Sequence, residues 1–95
     1  MSGGWVYIVT NKANGILYVG VTSDIARRAW EHRGGLVEGF SKRYGLKMLV
    51  HVERFDEIGA AIQREKNIKH WPRSWKVRLI ETHNDEWRDL YDTLA

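Results

Sequence analysis

The sequence predicts an α+β domain in which a small antiparallel three-stranded sheet is flanked by helices, in the order ββαβα with a helical tail. Three observations predict it. Two runs rich in β-branched and aromatic residues stand on either side of Asn14-Gly15, a third such run lies mid-chain, and the intervening segments carry helix-starting and helix-stopping residues around apolar stripes.

The first strand is Trp5 to Thr10 and the second is Ile16 to Thr22. Asn-Gly between them signals a tight hairpin, because both central positions of a type I′ turn need positive φ. With Asn14 and Gly15 central, Ala13 pairs with Ile16, Asn11 with Tyr18 and Val9 with Gly20, and Tyr7 and Tyr18 face the same side. Ser23 or Asp24 caps a helix from Ile25 to about Arg33, which Gly34-Gly35 ends. Gly35 to Gly45 reads as a polar loop carrying Phe40 and Tyr44, and Lys47 to Phe55 as the third strand. Asp56 caps a second helix that runs to about His70. Pro72 suits either its stop or the first turn of the next element. Trp75 to Thr82 fits helix or strand, and Asp85 caps a last short helix through Leu90.

The 95 residues fit a single domain, 1–95, and contain no cysteine, so disulfides, thiolate zinc sites and cysteine nucleophiles are excluded. No window approaches the roughly 18 apolar residues of a membrane helix, and a cytoplasmic protein is expected. The formal charge of +3 hides a division: residues 1–80 carry 14 Lys and Arg against seven Asp and Glu, whereas residues 81–95 carry Arg88 against five acids. A cationic body suits a polyanion, since phosphate contacts release counterions; scattered solvated charges are the alternative.

The apolar stripe of the second helix is Ile58, Ala61, Ile62 and Ile68, and Glu65 falls on it. A carboxylate there requires a metal ion, an arginine or water. Tyr7 and Tyr18 fit cross-strand packing, and Arg28 and His32 share a helix face. His32, His51, His70 and His83 lack zinc-like spacing.

Taken in order, these residues carry a family resemblance. Trp5-Val6-Tyr7 and Tyr18-Val19-Gly20 resemble the two strand motifs that name the GIY-YIG nuclease superfamily. The helix with Arg28 and His32, then Gly39-Phe-Ser-Lys-Arg-Tyr44, Leu49-Val50, Ala61-Ile-Gln-Arg-Glu65-Lys-Asn-Ile-Lys69 and Trp87-Arg-Asp-Leu90, resemble its stand-alone bacterial branch. The resemblance implies a metal-dependent endonuclease acting on nucleic acid, with DNA expected. It implies that Glu65 holds Mg2+ or Mn2+, that Arg28 contacts phosphate, and that Tyr7, Tyr18 and His32 are catalytic, with Tyr18 a candidate general base assisted by Tyr7 or His32. A free tyrosine titrates near ~10, so that role needs positive charge nearby. Lys42, Arg43 and Lys69 are expected on nucleic acid, and Asn84 matches a late asparagine of the family. Three residues depart from the pattern: Trp5 replaces a glycine, Asp85 follows Asn84 where this branch commonly has a proline, and Val21 stands where excision-repair relatives place a lysine, so cationic help near the base is either weaker or supplied by Lys42 or Arg43. The alternatives are a binding module of the same fold with little turnover, and a protein-interaction scaffold. The catalytic reading requires Tyr7, Tyr18, Arg28 and Glu65 to line one cleft, and a Tyr18 on the sheet face opposite Glu65 makes it wrong.

Overall fold

β-Branched and aromatic residues alternate along the first segments, and in the computed structural model, which describes residues 3–94, they form β1 (Gly4–Thr10) and β2 (Leu17–Thr22). Then follow α1 (Ile25–Arg33), the short α2 (Phe40–Arg43), β3 (Met48–Phe55), α3 (Ile58–Lys69), α4 (Arg73–His83) and a 3-10 turn (Tyr91–Leu94). The three strands form one antiparallel sheet in the order β2-β1-β3, which leaves β2 and β3 as its two edges. Among the described residues no helix is long and apolar enough to cross a membrane.

Two apolar layers cover the sheet. Val6, Ile8, Val19 and Val50 meet Ala61 and Ile68 of α3 and Ile80 of α4 on one face. Tyr7, Val9 and Leu49 meet Ile25 and Ala29 of α1, with Leu46 and the tail residues Leu90, Tyr91 and Leu94, on the other.

The hairpin differs from the tight turn expected. Thr10 pairs with Leu17, Val9 with Tyr18 and Tyr7 with Gly20, so residues 11–16 form a wider loop. Its turn is closed one residue earlier, by the Gly15 amide donating to Lys12 O at 2.9 Å, with Asn14 alone at φ 57°. Side chains stabilise the longer loop. Asn11 Oδ1 accepts from the Ile16 amide at 2.9 Å, and Arg73 of α4 donates to Asn14 O and Gly15 O at 2.9 and 2.7 Å. The register moves by two positions, so parity is kept and Tyr7 and Tyr18 still share a face.

The remaining elements differ less from expectation. α1 has the expected bounds and Asp24 caps it, accepting from the Arg27 amide at 3.1 Å. Within the expected loop, Ser41 is buried and anchors the single turn of α2. The N-cap of α3 is Glu57, in extended conformation, while Asp56 pairs with Arg54. Ile62 is 38% exposed, because the buried stripe runs Ala61, Glu65, Ile68. Pro72 opens α4, whose helical backbone resolves the ambiguity at Trp75 to Thr82. No helix forms over Asp85 to Leu90. There Asn84 accepts from the Arg88 amide and donates to Val50 O and Arg88 O, and the Leu90 amide donates to Leu49 O at 2.7 Å, so the tail docks on the edge of β3.

Candidate functional site

The free edge of β2 gathers polar groups from four elements. Tyr7 comes from the central strand, and its ring crosses the backbone of β2 at Gly20: a Cβ there would strike the Tyr7 ring at Cζ and the hydroxyl. This is the physical reason for the glycine of the second motif. The Tyr7 hydroxyl lies 3.0 Å from His32 Nε2, and both residues are buried. Arg28, one turn earlier on α1, pairs with Glu31 at 3.3 Å and acts electrostatically on Tyr7 and His32. The Tyr18 ring stands 6.4 Å from Tyr7 and 6.0 Å from His32, centroid to centroid.

Glu65 arrives by a different route. The tyrosines face the α1 layer, whereas α3 packs on the other face, so by sheet face Tyr18 and Glu65 are opposed. They meet around the edge strand. Lys69 Nζ lies 2.7 Å from Glu65 Oε2 and 5.6 Å from the centroid of the Tyr18 ring, linking carboxylate and tyrosine. The charge of Glu65 is also felt at Tyr7. The expectation that Tyr18 and Glu65 share a sheet face is thus not met; because β2 is an edge strand, the two approach each other around that edge through Lys69 instead. Glu65 is buried on the inward stripe as expected, but its partner is Lys69 one turn later rather than an arginine; Arg64 instead pairs with Glu53 at 2.8 Å.

Of the other residues expected at the site, Lys42 pairs with Glu38 at 3.1 Å on the surface, and the Arg43 guanidinium lies 5.7 Å from the Tyr44 ring centroid. The cation over Tyr18 is thus Lys69, not Lys42 or Arg43. Asn84 lies at the junction of α4 and the tail with both ends of its amide bonded to backbone.

Protonation at the site follows from burial. Desolvation, then the neighbouring Tyr18, push Tyr7 up to about 12, with Arg28 opposing them. Desolvation and then Arg28 push His32 down to about 4. At neutral pH both are uncharged, and the proton between them stays on Tyr7 unless a new charge arrives. His32 Nδ1 is buried without a hydrogen-bond partner among the described residues. Among those residues no three His, Cys, Asp or Glu group as a metal cage, so the donor set is one carboxylate. A hard cation that keeps most of its waters fits one carboxylate; a zinc site does not.

The pattern described as the GIY-YIG catalytic domain matches residues 3–78. The chain is 40% identical over 76 residues to a UPF0213 protein of Natronomonas pharaonis, covering 80% of this chain and 88% of that one. It is 36% identical over 80 residues to a UPF0213 protein of Staphylococcus saprophyticus, covering 84% and 96%. The fold is similar to the solution NMR structure of a UPF0213 protein from Bacillus halodurans, with a TM-score of 0.57, 26% identity and 92% of each chain covered.

Proposed function

This chain belongs to the GIY-YIG catalytic-domain family, and from that premise we propose that it is a divalent-metal-dependent endonuclease, a single domain hydrolysing phosphodiester bonds of nucleic acid, with DNA as substrate. One observation carries the reading. Lys69 ties the buried Glu65 to Tyr18 at the same open edge where Tyr7 is held against His32 and Arg28.

Each group has work suited to its surroundings. Glu65 would hold Mg2+ or Mn2+ in place of its pairing with Lys69, which is half-exposed at 44%. The ion supplies charge stabilisation to the phosphodiester and its leaving oxygen. Arg28 neutralises the non-bridging phosphate oxygens. Tyr18 accepts the proton of the attacking water, with the Lys69 ammonium 5.6 Å from its ring centroid. Water oxygen bonds to phosphorus, the bond to the leaving sugar oxygen breaks, and that oxygen takes a proton from solvent. His32, neutral, fixes the hydroxyl of Tyr7 beside the water.

The test is incubation with single-stranded, nicked, branched and duplex DNA in Mg2+ or Mn2+, for the native chain and for Glu65→Ala. Cleavage by the native chain and none by the variant supports the proposal. Binding without cleavage by either supports the inactive binding module.

A further inference from the structure

The aromatic series at the site does not stop at Tyr18. The Phe40 ring lies 6.4 Å from Tyr18 and within 25° of parallel to it, and the Tyr44 ring lies 4.8 Å from Phe40. Tyr7 is buried, whereas Phe40 and Tyr44 are 47% and 43% exposed. The series thus runs from the core, past the Glu65–Lys69 pair, out to solvent. α2 presents the outer two rings and is fixed from beneath. Ser41 is buried and accepts from the Leu46 amide at 2.9 Å, and Leu46 itself is fully buried.

Among the described residues, one free cation adjoins these rings. Arg43 lies over Tyr44 and has no acidic partner among those residues, whereas Lys42 of the same turn is paired with Glu38. Flat rings with a cation at their rim match one ligand chemistry, an aromatic base on an anionic backbone. Bases inside a duplex have their faces covered by neighbours, so such a platform engages a nucleotide that is unpaired or turned out.

We propose that Phe40 and Tyr44 form a stacking platform for an unpaired nucleobase beside the scissile phosphate, with Arg43 on the adjoining backbone, so that the substrate is a strand with unpaired nucleotides. The place of the platform relative to a scissile phosphate rests on the nuclease reading above; its preference for bases does not. A protein partner on the same rings would leave the three nucleic acids unbound, or bound without regard to their bases, which the test reads as failure of the platform.

The experiment titrates the full chain in EDTA, where no cleavage occurs. The ligands are oligothymidylate of about ten nucleotides, an abasic oligomer of equal length and charge, and a blunt duplex. Tighter binding of oligothymidylate than of the abasic strand, by roughly five- to 150-fold, is expected. Phe40→Ala and Phe40→Leu should each bring oligothymidylate toward the abasic affinity without changing the melting temperature; the leucine variant keeps the apolar bulk and removes the π face. Equal affinity for the two strands, no effect of either variant, or no binding to any of the three ligands overturns the platform. Base-dependent binding with no cleavage of any DNA in Mg2+ or Mn2+ supports the platform while the nuclease reading falls. Cleavage with base-independent binding does the reverse.

Discussion

Arg64 and Glu65 are consecutive on α3 and serve opposite regions of the sheet. Arg64 reaches β3, donating to both oxygens of Glu53 at 2.8 and 3.0 Å, and His51 Nε2 lies 2.9 Å from the same carboxylate. Burial alone would raise Glu53, but the hydrogen bonds of His51 and Arg64 outweigh it and hold the carboxyl down at about 2. Every charged group there has a close partner. Near β2 the charged and polar groups are less fully paired: Glu65 has a half-exposed lysine, His32 a bare buried nitrogen, and Tyr7 is pushed to about 12. A satisfied network stabilises the fold; an under-satisfied one at an open edge has capacity left for a ligand.

The contrast is broken most directly by neutralising each carboxylate. Glu65→Gln is expected to reduce cleavage on the order of a thousand-fold while shifting stability by about 1 kcal/mol or less, since its partner is half-exposed. Glu53→Gln should leave the reaction intact at low temperature and destabilise by about 2 kcal/mol, lowering the melting temperature by about 10 °C, because Arg64 loses a partner with both groups only partly exposed. Paired turnover and melting measurements decide it. A Glu65→Gln protein that melts far lower and still cleaves would reverse the two roles.

Gly20 sharpens the contrast inside the β2 region. Gly20→Ala forces the Tyr7 ring away and separates its hydroxyl from His32, which is expected to cost roughly a hundred-fold in turnover. Tyr7→Phe is the control, since it removes the hydrogen bond and keeps the ring. Unchanged turnover in Gly20→Ala would remove Tyr7 from the reaction.

How far this difference could be read from sequence depends on the range of the forces involved. The strands and α1 were legible, to the residue for α1, because β-branched runs and the Asp24 cap act locally. The register of β1 and β2 was not, since Arg73, far along the chain, holds the loop open. α2 was too short to show a period. At the site, Glu65 on the apolar stripe was legible as a buried charge, and its spacing from Lys69 was in view, yet Lys69 was read only as a phosphate contact. Strand parity placed the tyrosines together correctly. It carries no information on whether a helix on the other face can reach around an edge strand, which is how Glu65 comes to share their site.

Acid titration compares the two regions in one experiment. Unfolded histidine takes a proton near 6.5, but folded His32 only near 4, so between these values the unfolded state binds the extra proton and stability falls as pH drops. A loss on the order of 2–3 kcal/mol is expected across that window, and His32→Gln should flatten it. Glu53 titrates near 4.5 unfolded and about 2 folded, so its contribution is present above 4.5 and is lost as pH falls toward 2. Melting temperature against pH should therefore fall in two stages, the β2 region first. A single fall below 4.5 would mean that His32 is charged in the folded protein at mild acidity.

The smallest expected effect isolates Lys69. In the absence of a divalent ion its ammonium neutralises Glu65, so a cation arriving at that carboxylate must displace it. A pair whose lysine is half-exposed to solvent is worth about 1 kcal/mol or less, and removing the competitor should strengthen metal binding by at most about five-fold. Lys69→Met keeps the aliphatic length and removes the charge. Since an ion that binds only the folded state raises its melting temperature, Mg2+ and Mn2+ titrations read the change without reference to turnover. The variant should reach a given metal-induced shift at lower concentration than the native chain, and Glu65→Gln should show no shift. If Lys69→Met responds no differently from the native chain, the ammonium is not the counter-ion that the metal replaces, and Glu65 and Lys69 belong with the satisfied pairs of the β3 region instead.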